Sequence, residues 1–264
     1  MTLRLDPRLA ARGYALRHEP EIGSTNSAAR SALREGADRL WLVADAQSAG
    51  RGRHERGWVS PPGNLHASLA LAAPCETAKL PLLGFVAGVA LIEAITALAP
   101  DLASRLALKW PNDMLLDGRK LAGILLEGES DPAGRPGVVI GMGVNVAHAP
   151  EGLDQPAAHL SANVPWITRD SLFDTLQKAF AEALTVFDEG RGFASIRQGW
   201  LASSLPMGQR LRVKLPGGAR EGRFSGLDAQ GALRLETESG PVTIVAGDVF
   251  VLRESSDQKG AGTA

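Results

Sequence analysis

The sequence predicts an α+β fold, in which a mixed β-sheet with helices is followed by a small β-barrel. Strand-like and helix-like segments share residues 1–204 without the regular alternation of a doubly wound sheet. After Leu205 the helices give way to short alternating strands separated by glycine turns. The 264 residues suffice for one full-sized domain and a small one.

The elements of the first domain, residues 1–204, are predicted from apolar periodicity and from helix caps. Ser24-Thr25-Asn26 is typical of a helix start, and Gly36 of its end. Further helices are predicted at residues 81–98, 172–187 and 193–201. Strands are predicted at residues 40–44, 64–72, 106–110, 121–128 and 137–146. Residues 48–63 and 150–165 are the predicted loops, and the glycines of the first indicate mobility.

The second domain, residues 205–253, has the sequence pattern of a small all-β module. Five alternating runs (LRVKL, GRFSGL, ALRLE, VTIV and VFVL) lie between residues 209 and 252, separated by Gly-Gly, Gln-Gly and Ser-Gly turns. Five short strands in so little chain predict an SH3-like β-barrel. Residues 254–264 are small and polar, and we expect a disordered tail there.

Composition excludes several functional classes. A formal net charge of -1 gives no global basic field, which disfavours DNA and anionic membranes as partners. The lone Cys75 excludes an internal disulfide framework and thiolate zinc clusters. Residues 1–17 mix charges with short apolar steps, unlike a signal peptide. The apolar stretch 80–99 contains two glycines and Glu93, and predicts a buried helix rather than a membrane span. We therefore expect a cytoplasmic protein.

The segment 50–58, GRGRHERGW, has the residue types of an anion site. Guanidinium groups bind phosphate and carboxylate oxygens, and alternating glycines let backbone N–H groups approach an anion. Trp58 offers a flat surface on which a purine can stack. A solvated basic loop or an RNA contact would also explain this segment taken alone.

The segment 108–123 predicts a hairpin followed by a buried strand. Pro111 ends a strand because it has no amide proton, and Asn112 and Asp113 favour a turn. The Asp-Gly pair at 117–118 supplies a second turn. Turn formation alone explains these residues, but not Lys120. This lysine directly precedes the apolar run LAGILL, so its ammonium either extends to solvent or faces an anion.

The segment 138–146 is a nearly continuous apolar strand that contains Gly141, Gly143 and Asn145. Two glycines in such a strand indicate that something large lies against its backbone. Asn145 needs hydrogen-bond partners if it is buried. A β-bulge or close strand–helix packing explains the glycines equally well.

Together these segments resemble one family, the biotin–protein ligases, which also includes bifunctional biotin repressors. The resemblance covers about residues 23 to 146 and extends through the small barrel to about residue 252. Each piece is weak alone, but five occur in the family's order with near-family spacing. They are Ser24-Thr25-Asn26, Gln47 with Gly50-Arg51-Gly52-Arg53 and Trp58, Lys109-Trp110-Pro111-Asn112-Asp113, Arg119-Lys120-Leu121-Ala122-Gly123-Ile124-Leu125, and Gly141-Met142-Gly143-Val144-Asn145.

The resemblance implies an ATP-dependent enzyme with the mixed sheet of class II aminoacyl-tRNA synthetases. Such ligases convert biotin to biotinyl-5′-AMP and transfer it to a lysine of a biotin carboxyl carrier protein. Cations must offset the repulsion between the biotin carboxylate and the triphosphate, and water must be kept from the mixed anhydride. ATP and biotin are the implied substrates with Mg²⁺, whose ligands the sequence does not identify.

The resemblance also implies the residues of the site. The catalytic residues are Lys120, between the biotin carboxylate and the α-phosphate, and Arg53. The residues around biotin are Ser24, Thr25, Asn26, Gln47, Gly50, Arg51, Gly52, Arg53, Lys120 and Gly123. Those on the ATP or adenylate side are Arg53, Arg56, Trp58, Asn112, Asp113, Lys120 and Asn145. Hydroxyl and amide groups suit the neutral ureido ring of biotin. Asp113 can position ATP, support Mg²⁺ or serve the turn.

Two departures from the family narrow the expectation. Family loops often carry a glycine between the second and third arginines, where this chain has His54-Glu55. Because Glu55 would repel phosphates at close range, we expect it to point outward. Only 23 residues precede Ser24, too few for the helix-turn-helix domain of the repressors. A monofunctional ligase that does not bind DNA is therefore expected.

Two other functions stay open as alternatives. Lipoate–protein ligation or octanoyl transfer uses a similar core, but its substrates have a plain apolar chain, and the Gly-Arg-Gly-Arg loop and Trp-Pro-Asn-Asp run favour biotin. A non-catalytic RNA-binding module would use the Gly/Arg loop and the barrel. The sequence does not reveal which carboxylase is the acceptor, or whether the protein is a homodimer.

Overall fold

The computed structural model describes residues 3–152 and 155–252. Within them the chain forms two compact units, the first ending at Ser204 and the second beginning at Leu205. The tail expected at residues 254–264 lies outside the described residues, so that expectation stays a prediction.

The first unit is built on a mixed sheet, as predicted, and this sheet has seven strands where the sequence predicted five. Its strands follow one another in space as β1-β2-β3-β7-β6-β5-β4. The pair β1–β2 is parallel, and every other neighbouring pair is antiparallel. The strands are β1 (Ala15–Ile22), β2 (Leu40–Gln47), β3 (Leu65–Ala72), β4 (Leu106–Lys109), β5 (Asp113–Leu116), β6 (Arg119–Ser130) and β7 (Pro136–Val144).

The helices of the first unit largely match the predicted segments. They are α1 (Pro7–Ala10), α2 (Thr25–Arg34), α3 (Leu83–Leu98), α4 (Arg169–Phe187) and α5 (Phe193–Ala202). The side chain of Ser24 caps α2 by accepting a hydrogen bond from the Ser27 amide, and Gly36 follows its end with φ of 100°. Helix α3 begins two residues later than predicted, because the preceding turn, Thr77–Leu82, is a 3-10 helix.

Neighbouring residues of β2 show that helices cover both faces of the sheet. Leu42 packs with Ala29 and Leu33 of α2. The ring of Trp41 makes edge contacts with Phe173 and Phe180 of α4, at centroid distances of 5.5 and 5.7 Å. Since successive side chains of a strand point to opposite faces, α2 and α4 lie on opposite sides of the sheet. The candidate site lies on the α2 side.

One helical stretch, Thr77–Leu98, is long and apolar enough to cross a membrane, and 67% of its most apolar window is buried inside the protein. Eleven of the 16 residues of α3 are buried, including both of its glycines. This burial is what the core helix of a globular domain requires, and it agrees with the predicted buried helix.

The structure corrects the sequence prediction at four places. Strand β1 was not predicted, because ALRHEPEI has no clear alternation and forms an edge strand exposed on both faces. Asp113 is the first residue of β5 instead of part of the turn, and its carboxylate forms ion pairs with Lys109 and Lys120. Lys120 lies within β6, and Asn145 follows β7. The turn at Asp117-Gly118 is confirmed, with φ of 51° and 72°.

The second unit is a five-stranded antiparallel sheet in the order β11-β10-β9-β8-β12. Its strands are β8 (Arg210–Leu215), β9 (Gly218–Leu227), β10 (Leu233–Thr237), β11 (Gly240–Ile244) and β12 (Asp248–Val251). All five predicted strands are therefore present. Alternating side chains such as Leu211 and Val213 of β8 are buried, while Arg210, Arg212 and Lys214 are exposed.

Candidate ligand-binding and catalytic site

Two strands of the sheet present a bare backbone surface to the site. Gly123 of β6 and Gly143 of β7 are register partners, and together they form what we call the glycine floor. The indole ring of Trp58 lies on it: a Cβ atom at Gly143 would stand 2.6 Å from Trp58 Nε1, and one at Gly123 would stand 3.1 Å from Cζ3. At Gly143 the prediction that a large group lies against this backbone is confirmed, and the group is Trp58; at Gly141 the neighbour is Asn26 of α2, which is the alternative of close strand–helix packing.

A buried polar network borders the glycine floor at the N-terminus of α2. The Gln47 Oε1 atom accepts hydrogen bonds from the Thr25 amide at 2.8 Å and the Thr25 hydroxyl at 3.0 Å. The Ser68 hydroxyl lies 2.8 Å from Thr25 Oγ1 and 2.6 Å from Asn26 Oδ1. Asn26 in turn lies against Gly141, where a Cβ would stand 2.9 Å from Asn26 Cγ. Ser24, Thr25 and Asn26 are all at least 94% buried. These side chains are thus held in fixed directions by one another.

Arg51 is held by a carboxylate that the sequence analysis did not single out. Its guanidinium donates to Glu127 Oε1 at 2.8 Å and Oε2 at 3.1 Å, and to the Ser27 hydroxyl at 3.0 Å. Glu127 also accepts from Asn26 Nδ2 at 2.8 Å and forms an ion pair with Arg30 at 3.3 Å. Glu127 therefore joins the Gly/Arg loop to the polar network.

The Gly/Arg loop, residues 48–63, folds back on itself. Arg51 and Gly57 form an isolated β-bridge, and the Trp58 amide donates to the Gly50 carbonyl at 2.9 Å. At its tip a short 3-10 turn, Arg53–Glu55, has positive φ at His54 (54°) and Glu55 (56°). Left-handed backbone is the conformation that glycine adopts without a steric penalty. The loop therefore has left-handed backbone at the two residues where the resemblance led us to expect a glycine, and Glu55 is exposed as expected.

A cluster of opposite charges lies beside the glycine floor, with Lys109 and Asp113 buried and Lys120 partly exposed; we call these three residues the lysine–aspartate cluster. Lys120 Nζ lies 2.6 Å from Asp113 Oδ1, and Lys109 Nζ lies 2.9 Å from Asp113 Oδ2. Burial alone would raise the pKa of the Asp113 carboxyl, but the charges of the two lysines and their hydrogen bonds outweigh it, and the pKa lies below its ordinary value. Lys120 Nζ also lies 5.5 Å from the centroid of the Trp58 ring. Its ammonium thus faces the glycine floor.

The remaining predicted residues surround this cluster. Asn112 Nδ2 donates to the Ile124 carbonyl at 2.8 Å, and Asn112 Oδ1 accepts from Arg53 at 3.3 Å. Asn145, 2% exposed, donates to the Ala158 carbonyl at 3.1 Å and so has the partner that its burial requires. Arg56 is exposed at the tip of the loop, and Gly50 and Gly52 form the loop backbone. The structure brings the predicted residues into one region, with Arg56 at its rim.

Three residues of the site were missed by sequence reasoning, and each is buried or half-buried. Ser68 is fully buried on β3. It lies inside the run NLHASLALA, where a small residue in an apolar strand gives no sign of a binding role. Lys109 is 5% exposed and was treated only as part of a motif. Glu127 follows the apolar run of β6 and resembles the polar end of a strand. A single signal could have found Lys109 and Glu127, since charges at the ends of strongly apolar strands need partners.

The described residues contain no group of three or more His, Cys, Asp or Glu side chains that could hold a metal ion. Asp113 is the carboxylate of the lysine–aspartate cluster, and ammonium groups hold both of its oxygens. A divalent cation that reaches this region would therefore be bound largely through a ligand that it accompanies, as Mg²⁺ commonly is with nucleotide phosphates.

Fold and site together define a class of protein: an α+β domain whose polar network suits a neutral, hydrogen-bonding ligand, next to cations that suit carboxylate and phosphate. The Biotin/lipoate A/B protein ligase family matches residues 21–145, and the Biotin protein ligase C terminal domain matches residues 207–252. These two matches lie in the first and second unit, respectively.

Named relatives narrow the class. The chain is 39% identical over 233 residues to the Biotin--[acetyl-CoA-carboxylase] ligase of Paracoccus denitrificans, covering 86% of this chain and 96% of the relative. It is 34% identical to the Mycobacterium tuberculosis ligase of the same name, covering 88% of this chain and 87% of the relative. The biotin protein ligase of Aquifex aeolicus, solved in complex with biotin and ATP, is 28% identical with a TM-score of 0.76, covering 91% of this chain and 99% of that one. The chain belongs to the biotin protein ligase family.

Proposed function

We propose that this protein is an ATP-dependent ligase that activates biotin and attaches it to a carrier protein of a carboxylase. In the first step a biotin carboxylate oxygen bonds to the α-phosphorus of ATP, and the bond to the pyrophosphate oxygen breaks. In the second step a lysine nitrogen bonds to the acyl carbon, AMP leaves and the amine loses a proton. The observation that carries this proposal is that an ammonium, Lys120 Nζ, faces a glycine floor bordered by a buried polar network.

The polar network suits the head of biotin. Thr25, Asn26 and Gln47 present hydroxyl and amide groups, which can donate to the ureido oxygen and accept from the ureido N–H groups. Ser24, at the N-cap of α2, completes this side. No charge is needed there, and an unpaired one would be costly in a buried pocket. We assign these residues, with Gly50, Gly52 and Gly123, to biotin.

The reacting groups belong at the lysine–aspartate cluster. The ammonium of Lys120 can contact the biotin carboxylate and the α-phosphate together, and it can stabilise the charge that grows at phosphorus. We assign the same role to Arg53, which already reaches Asn112 at 3.3 Å, and a phosphate-side role to Arg56. Arg51 is paired with Glu127, so we place it at the mouth of the biotin pocket.

The nucleotide side is formed by Trp58, Asn112 and Asn145, and Asp113 belongs to it as the counter-ion that holds Lys109 and Lys120. Trp58 lies within 5.5 Å of Lys120 Nζ, so its ring is placed to cover the acyl–phosphate bond and keep water from it. Asn112 lies beside Arg53, and Asn145 lies beside the backbone of Lys120. ATP enters as MgATP, and the phosphates supply most of the ligands of the ion.

The two units have separate roles in this proposal. Residues 1–204 form the biotin- and ATP-binding catalytic domain, and residues 205–253 form a small domain that supports ATP or acceptor binding. We further propose that β8 to β12 curve into an SH3-like barrel. The register shift between Arg234 and Leu235 supports such curvature, because bulges bend strands.

The acceptor is proposed to be a biotin carboxyl carrier protein or domain of a carboxylase, and the names of two relatives, which give acetyl-CoA carboxylase, support this. We still predict that the protein is cytoplasmic and that it binds neither DNA nor a membrane. A homodimer is possible on the same footing, as a prediction that awaits a test. No observation favours lipoate ligation, octanoyl transfer or RNA binding over the biotin reaction.

The proposal is tested by ATP–pyrophosphate exchange with purified protein, MgATP, and either biotin, lipoate or octanoate. We expect exchange with biotin alone, followed by avidin-detectable labelling of an added biotin carboxyl carrier domain. Exchange with lipoate or octanoate but not biotin would replace the proposal with the sister activity. RNA binding without any exchange would remove the enzymatic assignment.

A further inference from the structure

Lys109 is a buried lysine to which the proposed reaction assigns no role. Its side chain is 5% exposed, whereas that of Lys120 is 26% exposed. Besides Asp113 it reaches Gln155 Oε1, at 3.3 Å. A lysine this buried is rare unless it is paired, since taking an ammonium out of water is costly. Burying this second ammonium in the lysine–aspartate cluster costs desolvation free energy, and a role in the reaction would explain why the cluster contains it.

The two lysines hold different oxygens of the same carboxylate. Lys120 contacts Oδ1 at 2.6 Å, and Lys109 contacts Oδ2 at 2.9 Å. Lys109 can therefore stay where it is when Lys120 moves. Lys120 comes from β6 and faces the glycine floor, while Lys109 ends β4, the other strand that flanks β5. One cation is thus open to the site and the other is enclosed behind it.

The charge of the cluster changes when an anion binds. Two ammonium groups and one carboxylate leave one positive charge in excess, which a biotin carboxylate or a phosphate can use. If Lys120 turned to that anion with no other cation beside Asp113, a buried carboxylate would be left unpaired, which is strongly unfavourable. Lys109 removes this cost because it neutralises Asp113 throughout.

We propose that Lys109 is a positioning residue of the ligase: it remains paired with Asp113 and so releases Lys120 to the anionic substrates. This inference rests on the proposed role of Lys120. It predicts that, once the charge of Lys109 is removed, Asp113 holds Lys120 more strongly. The anionic substrates must then compete with Asp113 for the ammonium of Lys120. It also predicts that neutralising Asp113 at the same time frees Lys120 again.

A double-mutant cycle of Lys109→Met and Asp113→Asn tests the proposal, with biotin-dependent ATP–pyrophosphate exchange as the activity and thermal unfolding as the check on folding. We expect Lys109→Met to lower kcat/KM by more than about tenfold, and the double variant to be at least about fivefold more active than Lys109→Met. Lys109→Arg keeps the charge and should exceed Lys109→Met. A lysine that serves packing alone would give a double variant no better than the single one.

Two results would overturn the proposal: a Lys109→Met protein with more than half of the wild-type kcat/KM, or a folded double variant no more active than Lys109→Met. If Lys109→Met does not fold, the comparison moves to Asp113→Asn with and without Lys109→Met. The proposal then requires the double variant to be at least as active as Asp113→Asn, because Lys109 has no carboxylate left to neutralise. A lower activity contradicts it.

The matched control is Lys178→Met, which removes by the same substitution a partly exposed lysine of α4 that pairs with Asp174, on the sheet face opposite the site. It should leave the exchange rate within about twofold of wild type. Wild-type activity separates this inference from the proposed function. Wild-type protein that lacks exchange with biotin refutes the proposed function, whereas active wild type with an unimpaired Lys109→Met refutes the role of Lys109 alone.

Discussion

A methyl group added to the glycine floor tests how closely Trp58 is fitted to the site. In Gly143→Ala the new Cβ would lie 2.6 Å from Trp58 Cε2 and Nε1, whereas ordinary contacts begin at 3.4 Å. The indole ring must therefore retreat by about 0.8 Å, and overpacking of this kind costs about 1–3 kcal/mol. Because the ring belongs to a loop that can move outward, we expect most of the cost in catalysis and little in the free energy of unfolding.

The assay is the kcat/KM of biotin-dependent ATP–pyrophosphate exchange, with thermal unfolding as the check on stability. At about 1.4 kcal/mol per factor of ten, the overpacking predicts a loss of roughly five- to hundredfold. Gly128→Ala is the matched control, since it lies on the same β6–β7 pair and its Cβ would meet no atom within 4 Å. The reasoning fails if Gly143→Ala keeps wild-type kcat/KM, or if both variants lose activity equally.

Three further predictions concern the cation, the loop and a buried histidine. Lys120→Ala should fold normally yet lose most biotinyl-5′-AMP formation, as measured by pyrophosphate release; wild-type rates would refute its catalytic role. Glu127→Gln removes the counter-ion of Arg51, so limited proteolysis should cut the loop 48–63 faster in this variant than in wild type. Biotin with MgATP should slow the cutting of the wild-type loop. Equal cutting rates in every case would contradict both expectations. Burial lowers the pKa of His66 below 6.5, so its contribution to stability is complete above that pH and is lost as the pH falls below it. The free energy of unfolding should then decline from pH 7 to 5 more steeply in wild type than in His66→Gln, and parallel pH profiles would exclude His66 as the cause.

The fold was largely predictable because its periodic segments are strongly apolar and end at glycines or caps. Helix α2 illustrates this: Ser24 at its start and Gly36 after its end are local signals that need no tertiary information. Strand β1 shows the limit. It is held by parallel pairing with β2 and has exposed residues on both faces, so no apolar run marks it in the sequence.

The site was predictable in its residue types but not in its pairings. The sequence indicated Arg51 as an anion ligand, whereas in the fold it donates to Glu127, which lies 76 positions away in the chain. Asp113 favoured a turn by local propensity, but its pairing with Lys109 and Lys120 from two flanking strands decided its place. Such contacts depend on strand register, which local sequence does not specify.

The central claim is that the glycine floor, the polar network and Lys120 together bind and activate biotin. Isothermal titration calorimetry of biotin and of lipoate, with wild type and with Asn26→Ala, tests it most directly. Asn26 is 4% exposed and joins Ser68 to Glu127, so its loss should disrupt the polar network. The account predicts that wild type binds biotin and not lipoate, and that Asn26→Ala weakens biotin binding by at least about tenfold. Equal affinity of wild type for both acids, or unchanged biotin binding by Asn26→Ala, would contradict it.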